Sequence, residues 1–308
     1  MRNAFAAEIE TLADSDVRIV MLSGDIGNRL FDKLRGKHPN RFINCGVAEA
    51  NMMGVAAGLA LSGLRPIVYT ITPFTTTRCL EQIRVDVCYH KAPVVIVGTG
   101  SGLAYSELGP THQSLDDVAV LRAFPDLTIM TPCDVPELIG CLRAAMRHSG
   151  PVYIRIGKKG EPQIHTGDVN IEIGRAIELS TGVDVTFLVS GFIMPEALKA
   201  ADILRQRNLK VGIVSFPTVK PLDTIFLEML TTRTKLFVSI EEHGIIGGLG
   251  SAVAEWRSSK TSANPLLIIG AKDEFLHVIG DQNYTRDYYN LSSKKIAQGV
   301  ISYLDSSK

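Results

Sequence analysis

Residues 46–60 read GVAEANMMGVAAGLA, and they directly follow the strand-like run RFINC at 41–45. The recurring glycines and alanines predict a closely packed, buried helix at about 48–62. Glu49 is the one carboxylate in this stretch. A carboxylate among apolar neighbours is costly to bury unless it is protonated or paired. We therefore expect Glu49 to serve chemistry, because perturbed ionisable groups cluster at functional sites.

Short apolar runs alternate with helical patterns on both sides of this stretch. In the first half the predicted strands lie at about 18–23, 41–45, 66–71, 93–98, 127–131 and 152–156, and the predicted helices at about 1–14, 48–62, 76–90 and 134–148. Buried strands that are joined through helices pair in parallel. The first half is therefore expected to form a parallel sheet covered by helices on both faces.

The alternation stops at the polar run GKKGEP, residues 157–162, and then resumes. The later strands are predicted at about 184–190, 210–214, 236–240 and 265–269, and the later helices at about 194–207, 222–231, 248–258 and 294–305. We predict an α/β protein of two domains, 1–160 and 175–308, joined by a linker at 161–174. Each domain is expected to be a mostly parallel sheet flanked by helices.

Bulk composition excludes several classes of protein. The 308 residues include 32 basic and 32 acidic side chains, so charge gives no case for binding nucleic acid or an anionic membrane. Five cysteines without a CxxC pair indicate reduced thiols. The chain has neither a signal-peptide core at its start nor an apolar run near the ~20 residues that span a bilayer. We therefore expect a cytoplasmic protein.

Glycine-rich turns give no nucleotide fingerprint. GTGSG at 98–102 fails the GxGxxG pattern at Leu103, and the GIIGGLG turn at 244–250 is more typical of close packing. The loop GPTHQ at 109–113 follows the fourth strand and carries His112, which is placed there for proton transfer or for binding a polar substrate. Phe74 follows the third strand and is either a core residue or a platform for a flat ring.

Taken in order, these features resemble the transketolase family of thiamine-diphosphate enzymes. The matching motifs are Gly24-Asp25, Gly46-Val47-Ala48-Glu49, Phe74, Gly109-Pro110-Thr111-His112-Gln113 and Glu241-Glu242-His243. The resemblance covers nearly the whole chain but only the carboxyl-terminal half to two-thirds of a full transketolase. It implies a pyrimidine-binding domain at 1–160, a linker at 161–174 and a transketolase C-terminal domain at 175–308.

The resemblance also implies a divided active site. The family's diphosphate-binding domain carries a Gly-Asp-Gly motif, and Gly24-Asp25-Ile26 and Gly280-Asp281-Gln282 both fail to match it. We expect a natural short subunit that works with a longer amino-terminal transketolase subunit. That longer chain would bind the diphosphate and Mg²⁺, or Ca²⁺ or Mn²⁺ in its place. The expected assembly is a heterotetramer of two short and two long chains.

Carried over by resemblance, the site residues have distinct roles. The resemblance implies that Glu49 hydrogen-bonds the aminopyrimidine of thiamine diphosphate, that Phe74 stacks on it, that Asp25 lies near it and that His112 contacts the sugar donor. The resemblance also implies that three further positions bear on the substrate: Leu108, Arg29 and Lys158. Leu108 stands where many transketolases have an acid, while Arg29 and Lys158 keep positive charge for an anionic acceptor.

The implied activity is transfer of a two-carbon ketol unit from a ketose to an aldehyde, an aldehyde/ketone transferase reaction, with a specialised sugar. Two alternatives lie within thiamine enzymes: the beta subunit of a 2-oxo acid dehydrogenase and a deoxyxylulose-phosphate-synthase-like enzyme. An alternative of another class is a non-catalytic regulatory or binding subunit that keeps the fold.

Overall fold

Two sheets organise the chain, and the predicted α/β fold class is confirmed. The computed structural model describes residues 1–27, 29–261 and 264–306. Across these residues, no helix combines the length and the apolar character needed to span a bilayer.

The first sheet has seven strands in the order β10-β5-β6-β4-β3-β1-β2, of which β10 (Thr218–Lys220) comes from the second half of the chain. Its first six strands along the chain are β1 (Ile19–Ser23), β2 (Phe42–Asn44), β3 (Arg65–Ile71), β4 (Val95–Thr99), β5 (Thr128–Met130) and β6 (Val152–Ile156). The α-helices of this half are α1 (Arg2–Ser15), α2 (Asp32–Lys37), α3 (Glu49–Leu61), α4 (Thr72–Thr75), α5 (Leu80–Gln82), α6 (Asp117–Arg122) and α7 (Val135–Arg147).

The second sheet has five strands in the order β12-β11-β8-β9-β7. The strands of this half are β7 (Ile177–Ser180), β8 (Val185–Ser190), β9 (Val211–Ser215), β10 (Thr218–Lys220), β11 (Leu236–Gly244) and β12 (Leu266–Ala271). Its α-helices are α8 (Met194–Arg205), α9 (Thr224–Thr231), α10 (Leu249–Ser258), α11 (Gln282–Tyr288) and α12 (Ser293–Ser306).

One strand crosses between the two halves of the chain. β10 follows β9 in sequence but pairs antiparallel with β5 at the edge of the first sheet. The Thr131 amide donates to the Pro217 carbonyl at 2.8 Å just beyond this pairing. The first sheet is therefore completed by residues from the second half, which the alternating pattern did not predict.

Every residue of β1, β4 and β6 is buried, as expected for central parallel strands covered on both faces. Helix α3 packs Met52, Met53 and Ala56 into this core, each fully buried. The prediction of a buried helix is correct for that face and wrong for the other, where Val55 and Leu61 are exposed.

The predicted helix at 76–90 is broken in the structure. A 3-10 turn at Thr77–Cys79 follows α4, and after α5 the segment Ile83–Tyr89 is π-helical. The hydroxyls of Thr75 and Thr76 donate to the Thr72 carbonyl, and this side-chain bonding competes with regular helix. The break lies at the carboxyl end of β3, where ligands of parallel sheets bind.

Candidate functional site

Three of the predicted residues meet at the carboxyl edge of the first sheet. Glu49 begins α3, Phe74 lies in α4 directly after β3, and His112 lies on the loop after β4. The rings of Phe74 and His112 contact edge to face, with centroids 5.2 Å apart. The three come together because parallel strands deliver their following residues to one edge of a sheet.

Arg78 joins Glu49 to Phe74. Its Nη1 donates to Glu49 Oε2 at 3.0 Å, and its guanidinium carbon lies 3.9 Å from the centroid of the Phe74 ring. Glu49 is only 3% exposed, whereas the Arg78 side chain is 44% exposed. Glu49 is therefore buried and paired, which is one of the two states in which a carboxyl among apolar neighbours can be buried.

The sequence offered a signal for Arg78 that the prediction did not use. Arg78 follows Phe74 by about one helical turn, so the two side chains share a face wherever the chain is helical. Planar cations stack on aromatic faces, and they pair with carboxylates. A basic residue one turn after a candidate stacking ring was therefore the residue to look for.

Small and polar residues surround the Glu49 side chain. A Cβ placed on Gly24, at the end of β1, would lie 3.2 Å from Thr70 Cβ and 3.4 Å from Glu49 Cγ. The Thr70 hydroxyl is buried and has no hydrogen-bond partner among the described residues. A glycine is therefore needed here for close approach, and one polar atom beside Glu49 is left available.

The His112 loop is held in a tight turn. Gly109 has a φ of 74°, and its carbonyl accepts from the His112 amide at 3.1 Å. The His112 Nδ1 lies 2.9 Å from the Thr111 hydroxyl. Burial lowers the pKa of His112, and the positive charge of Arg78 lowers it further. His112 is therefore a neutral imidazole at neutral pH and is able to exchange a hydrogen bond with a hydroxyl.

The second domain braces this loop through Glu242, a residue to which the sequence assigned no role. Glu242 Oε1 accepts from the Leu103 amide at 2.8 Å and from Gln282 Nε2 at 3.0 Å, and Arg286 pairs with its other oxygen. Glu242 is almost fully buried. The carboxyl end of β11 thus fixes the segment that leads to His112.

The remaining predicted residues divide into two groups. Lys158 lies over the ring of Tyr105 at 4.5 Å, and Tyr105 contacts His112 at 6.1 Å between ring centroids. Leu108 is 53% exposed on the same loop. The structure thus brings Lys158 and Leu108 to the His112 side of the site.

Asp25 and Arg29 lie in a separate loop after β1. Both are exposed and have positive φ, 56° and 63°. Asp25 Oδ1 accepts from Asn44 Nδ2 at 2.9 Å, and the Asn44 Oδ1 accepts from the Gly46 amide just before α3. Asp25 therefore shapes the approach to Glu49 rather than joining its ion pair.

The residues present fit the pyrimidine half of thiamine diphosphate. A flat aminopyrimidine needs a stacking ring and a buried carboxyl beside it, and Phe74 and Glu49 supply both. Arg78 already makes these two contacts as a planar cation, which demonstrates that the two groups converge on one flat, hydrogen-bonding partner.

At this edge, no three His, Cys or carboxylate side chains of the described residues come close enough together to share a metal ion. Such a group lies elsewhere in the described part of the chain, at Cys133, Glu137 and His165.

Comparisons with known proteins identify the family of the chain. Residues 1–162 match the family model for the transketolase pyrimidine binding domain, and residues 174–296 match that for the transketolase C-terminal domain. The chain is 32% identical over 305 residues to an apulose-4-phosphate transketolase subunit of Phocaeicola vulgatus, covering 98% of this chain and 97% of that protein. It is 33% identical over 301 residues to the 6-deoxy-6-sulfo-D-fructose transketolase subunit SqwH of Clostridium sp. (strain MSTE9), covering 97% and 93%.

A solved structure described as a split gene transketolase, inactive beta4 tetramer, has a TM-score of 0.88 and 33% identity to this chain. The match covers 98% of this chain and 96% of that one. The resemblance predicted from the sequence is confirmed by these findings. The chain belongs to the transketolase family, with matches to its pyrimidine-binding and C-terminal domains.

Proposed function

We propose that this chain is the short subunit of a split transketolase that transfers a two-carbon ketol unit from a ketose to an aldehyde. The domains would be a pyrimidine-binding domain at 1–160, a linker at 161–174 and a C-terminal domain at 175–308. The observation that carries the proposal is the convergence of Glu49 and Phe74 on one planar partner, beside His112. Thiamine diphosphate, when bound there, supplies the electron sink for breaking and forming the carbon–carbon bond.

Glu49 would hold a proton at a ring nitrogen of the aminopyrimidine. A carboxyl that is 3% exposed has little contact with water. In such a site a carboxylic acid keeps or shares its proton once no cation faces it. In this proposal Arg78, which pairs with Glu49 Oε2, would leave Glu49 when the cofactor binds.

His112 would bind and orient the sugar donor. Its pKa is lowered by burial and by Arg78, so its imidazole is neutral and offers one donor and one acceptor nitrogen. Tyr105 and Phe74 contact the ring from two sides and fix its orientation. A neutral, oriented imidazole beside the stacking ring is suited to hydrogen-bonding a donor hydroxyl near the reacting carbon.

We further propose that a longer transketolase subunit holds the diphosphate and Mg²⁺, in a cytoplasmic heterotetramer of two short and two long chains. The relative from Phocaeicola vulgatus is named as one subunit of its transketolase, and the solved relative is an inactive tetramer of beta chains. Both names support a short chain that lacks activity without its partner. The absence of a Gly-Asp-Gly motif in this sequence supports the same division.

Calorimetric titration tests this division. The purified chain alone is expected to bind thiamine diphosphate weakly, because it offers only the pyrimidine half of the site. Adding the longer subunit and Mg²⁺ should tighten binding by several orders of magnitude. Tight, Mg²⁺-dependent binding by the lone chain would contradict the divided site.

The substrate is proposed to be a specialised, anionic sugar. Leu108 replaces the acid of many transketolases on the His112 loop, while Lys158 keeps a positive charge beside Tyr105. The two named relatives act on a sugar phosphate and a sulfosugar, both anionic. Pyruvate-dependent release of carbon dioxide by the reconstituted pair would instead favour a 2-oxo acid dehydrogenase or deoxyxylulose-phosphate-synthase-like activity.

Arg78→Ala is expected to tighten thiamine diphosphate binding by the lone chain roughly tenfold. Cofactor binding must break the ion pair to Glu49 and the stacking on Phe74, which together contribute about 1–2 kcal/mol for a half-exposed arginine. Equilibrium dialysis of the lone chain measures the change. Arg84→Ala, an exposed arginine on the following turn, is the control. Unchanged or weaker binding in Arg78→Ala would show that Arg78 does not compete with the cofactor.

A further inference from the structure

A second cluster of chemically active side chains lies where the two domains meet. Cys133 follows β5, Glu137 lies in the first turn of α7, and His165 belongs to the segment that connects the domains. One ligand atom from each lies within 4.8 Å of the others. Cys133 and Glu137 are fully buried, and the His165 side chain is 12% exposed. The cluster is remote in sequence from Glu49 and His112, and the proposed reaction does not use it.

Several polar atoms of this cluster lack partners. Glu137 Oε1 and His165 Nε2 are buried with no hydrogen-bond partner among the described residues. The hydroxyl of Ser215, at the end of β9, is fully buried beside Glu137 and Cys133. Buried polar atoms are nearly always satisfied, so unpartnered atoms that converge on one point indicate a missing ligand.

The partnered atoms of the same side chains orient the free ones. Asp134 Oδ2 lies 3.1 Å from His165 Nδ1 and accepts from the His165 amide at 2.8 Å. Glu137 Oε2 accepts from the Cys133 amide at 2.8 Å. A carboxylate that hydrogen-bonds one imidazole nitrogen fixes the tautomer of the ring. The other nitrogen is then available to bind a metal ion, as in known metal sites of proteins. Helix capping by Asp134 and Glu137 explains the partnered oxygens but leaves Glu137 Oε1 and His165 Nε2 unexplained.

The distance between the two unpartnered atoms favours a bound ion over a direct contact between them. His165 Nε2 and Glu137 Oε1 are 3.7 Å apart, too far for a hydrogen bond. Two ligands that each lie about 2 Å from one ion are separated by roughly 3–4 Å. Sulfur, imidazole nitrogen and carboxylate oxygen together form a ligand set that suits Zn²⁺.

We propose that Cys133, Glu137 and His165 bind one Zn²⁺ ion that fastens the interdomain segment to α7. Binding releases the Cys133 thiol proton to solvent, and the thiolate and the Glu137 carboxylate balance the charge of the ion. A fourth position faces Ser215. The role is structural, and it is independent of the transketolase reaction.

Metal analysis of the full chain tests the site. After dialysis with a chelator and then with one equivalent of Zn²⁺, the wild type should retain about one zinc per chain by mass spectrometry. Cys133→Ala and His165→Gln should each lose it. Cys141→Ala, which alters a fully buried cysteine on the same helix as Glu137, is the matched control and should keep it. Co²⁺ in place of Zn²⁺ should give a sulfur-to-metal charge-transfer band in wild type and in Cys141→Ala only.

Thermal melting gives a second readout. Zn²⁺ should raise the melting temperature of the wild type and of Cys141→Ala but not that of His165→Gln, whose substitution at a partly exposed site leaves the fold intact. A wild type that binds no stoichiometric zinc overturns the proposal. So does a Cys133→Ala variant that binds zinc as the wild type does. Neither result depends on enzymatic activity, so neither result tests the proposed transketolase function.

Discussion

Glu49→Gln in the reconstituted two-subunit enzyme is expected to lower kcat by about 10²–10⁴-fold while the fold survives. An amide cannot exchange a proton with the aminopyrimidine ring, although it nearly matches the size of the carboxyl. The amide also lacks the negative charge that holds Arg78, which in the wild type donates to Glu49 Oε2 at 3.0 Å. The variant should therefore still bind thiamine diphosphate, and the defect should appear in turnover more than in cofactor affinity.

Three measurements separate this role from a structural one. Circular dichroism and melting temperature should be close to wild type, since the substitution introduces no cavity. Glu81→Gln, an exposed acid on α5, should leave turnover unchanged. A Glu49→Gln enzyme that turns over at near wild-type rate would rule out the assigned proton transfer. It would also favour the alternative of a non-catalytic subunit that keeps the fold.

The sequence was sufficient for the fold because its signals are local. Runs such as β4 and β6 are apolar throughout, and such runs specify buried parallel strands without knowledge of their neighbours. Glu49, Phe74 and His112 could be grouped for the same reason, since each follows a strand in the same sheet.

The parts that the sequence did not predict depend on contacts between distant segments. β10 is a three-residue strand that pairs back to β5, and nothing in its own residues reveals that partner. Glu242 supports the His112 loop from another domain, so its role is visible only after both domains are packed. The pairing of Arg78 with Glu49 was missed because the two residues are 29 positions apart in sequence and follow different strands.

Arg155→Met is expected to lower the free energy of unfolding by about 3–5 kcal/mol, the largest stability change predicted for this chain. Arg155 Nε donates to Asp117 Oδ2 at 2.8 Å, and both side chains are almost completely buried. Arg155 Nη2 also donates to the carbonyls of Ser114 and Glu242 at 2.8 and 2.9 Å. Removing the guanidinium takes the paired cation from a buried carboxylate and removes one of the links between the His112 loop and the second domain.

The double variant Asp117→Asn/Arg155→Met provides the decisive comparison. It removes both buried charges, so it should recover part of the stability that the single variant loses. Equilibrium denaturation of the full chain, followed by circular dichroism, measures both. Equal losses in the single and double variants would mean that Arg155 acts through packing and not through its charge.

The pH dependence of the wild type has a defined sign for the same pair. Burial opposes ionisation of Asp117, but Arg155, His243 and Tyr153 together outweigh it and lower the pKa of that carboxyl. A group whose pKa is lowered by folding contributes its full stability above its unfolded pKa of about 3.9, and that contribution is lost as the pH falls through the lower folded value. Without Arg155, burial raises the pKa of Asp117 in the variant, so its carboxylate takes up a proton before the paired one does. The stability gap between wild type and Arg155→Met should therefore narrow as the pH falls from neutral into acid. A gap that stays constant down to the acid transition would contradict the ionised pair.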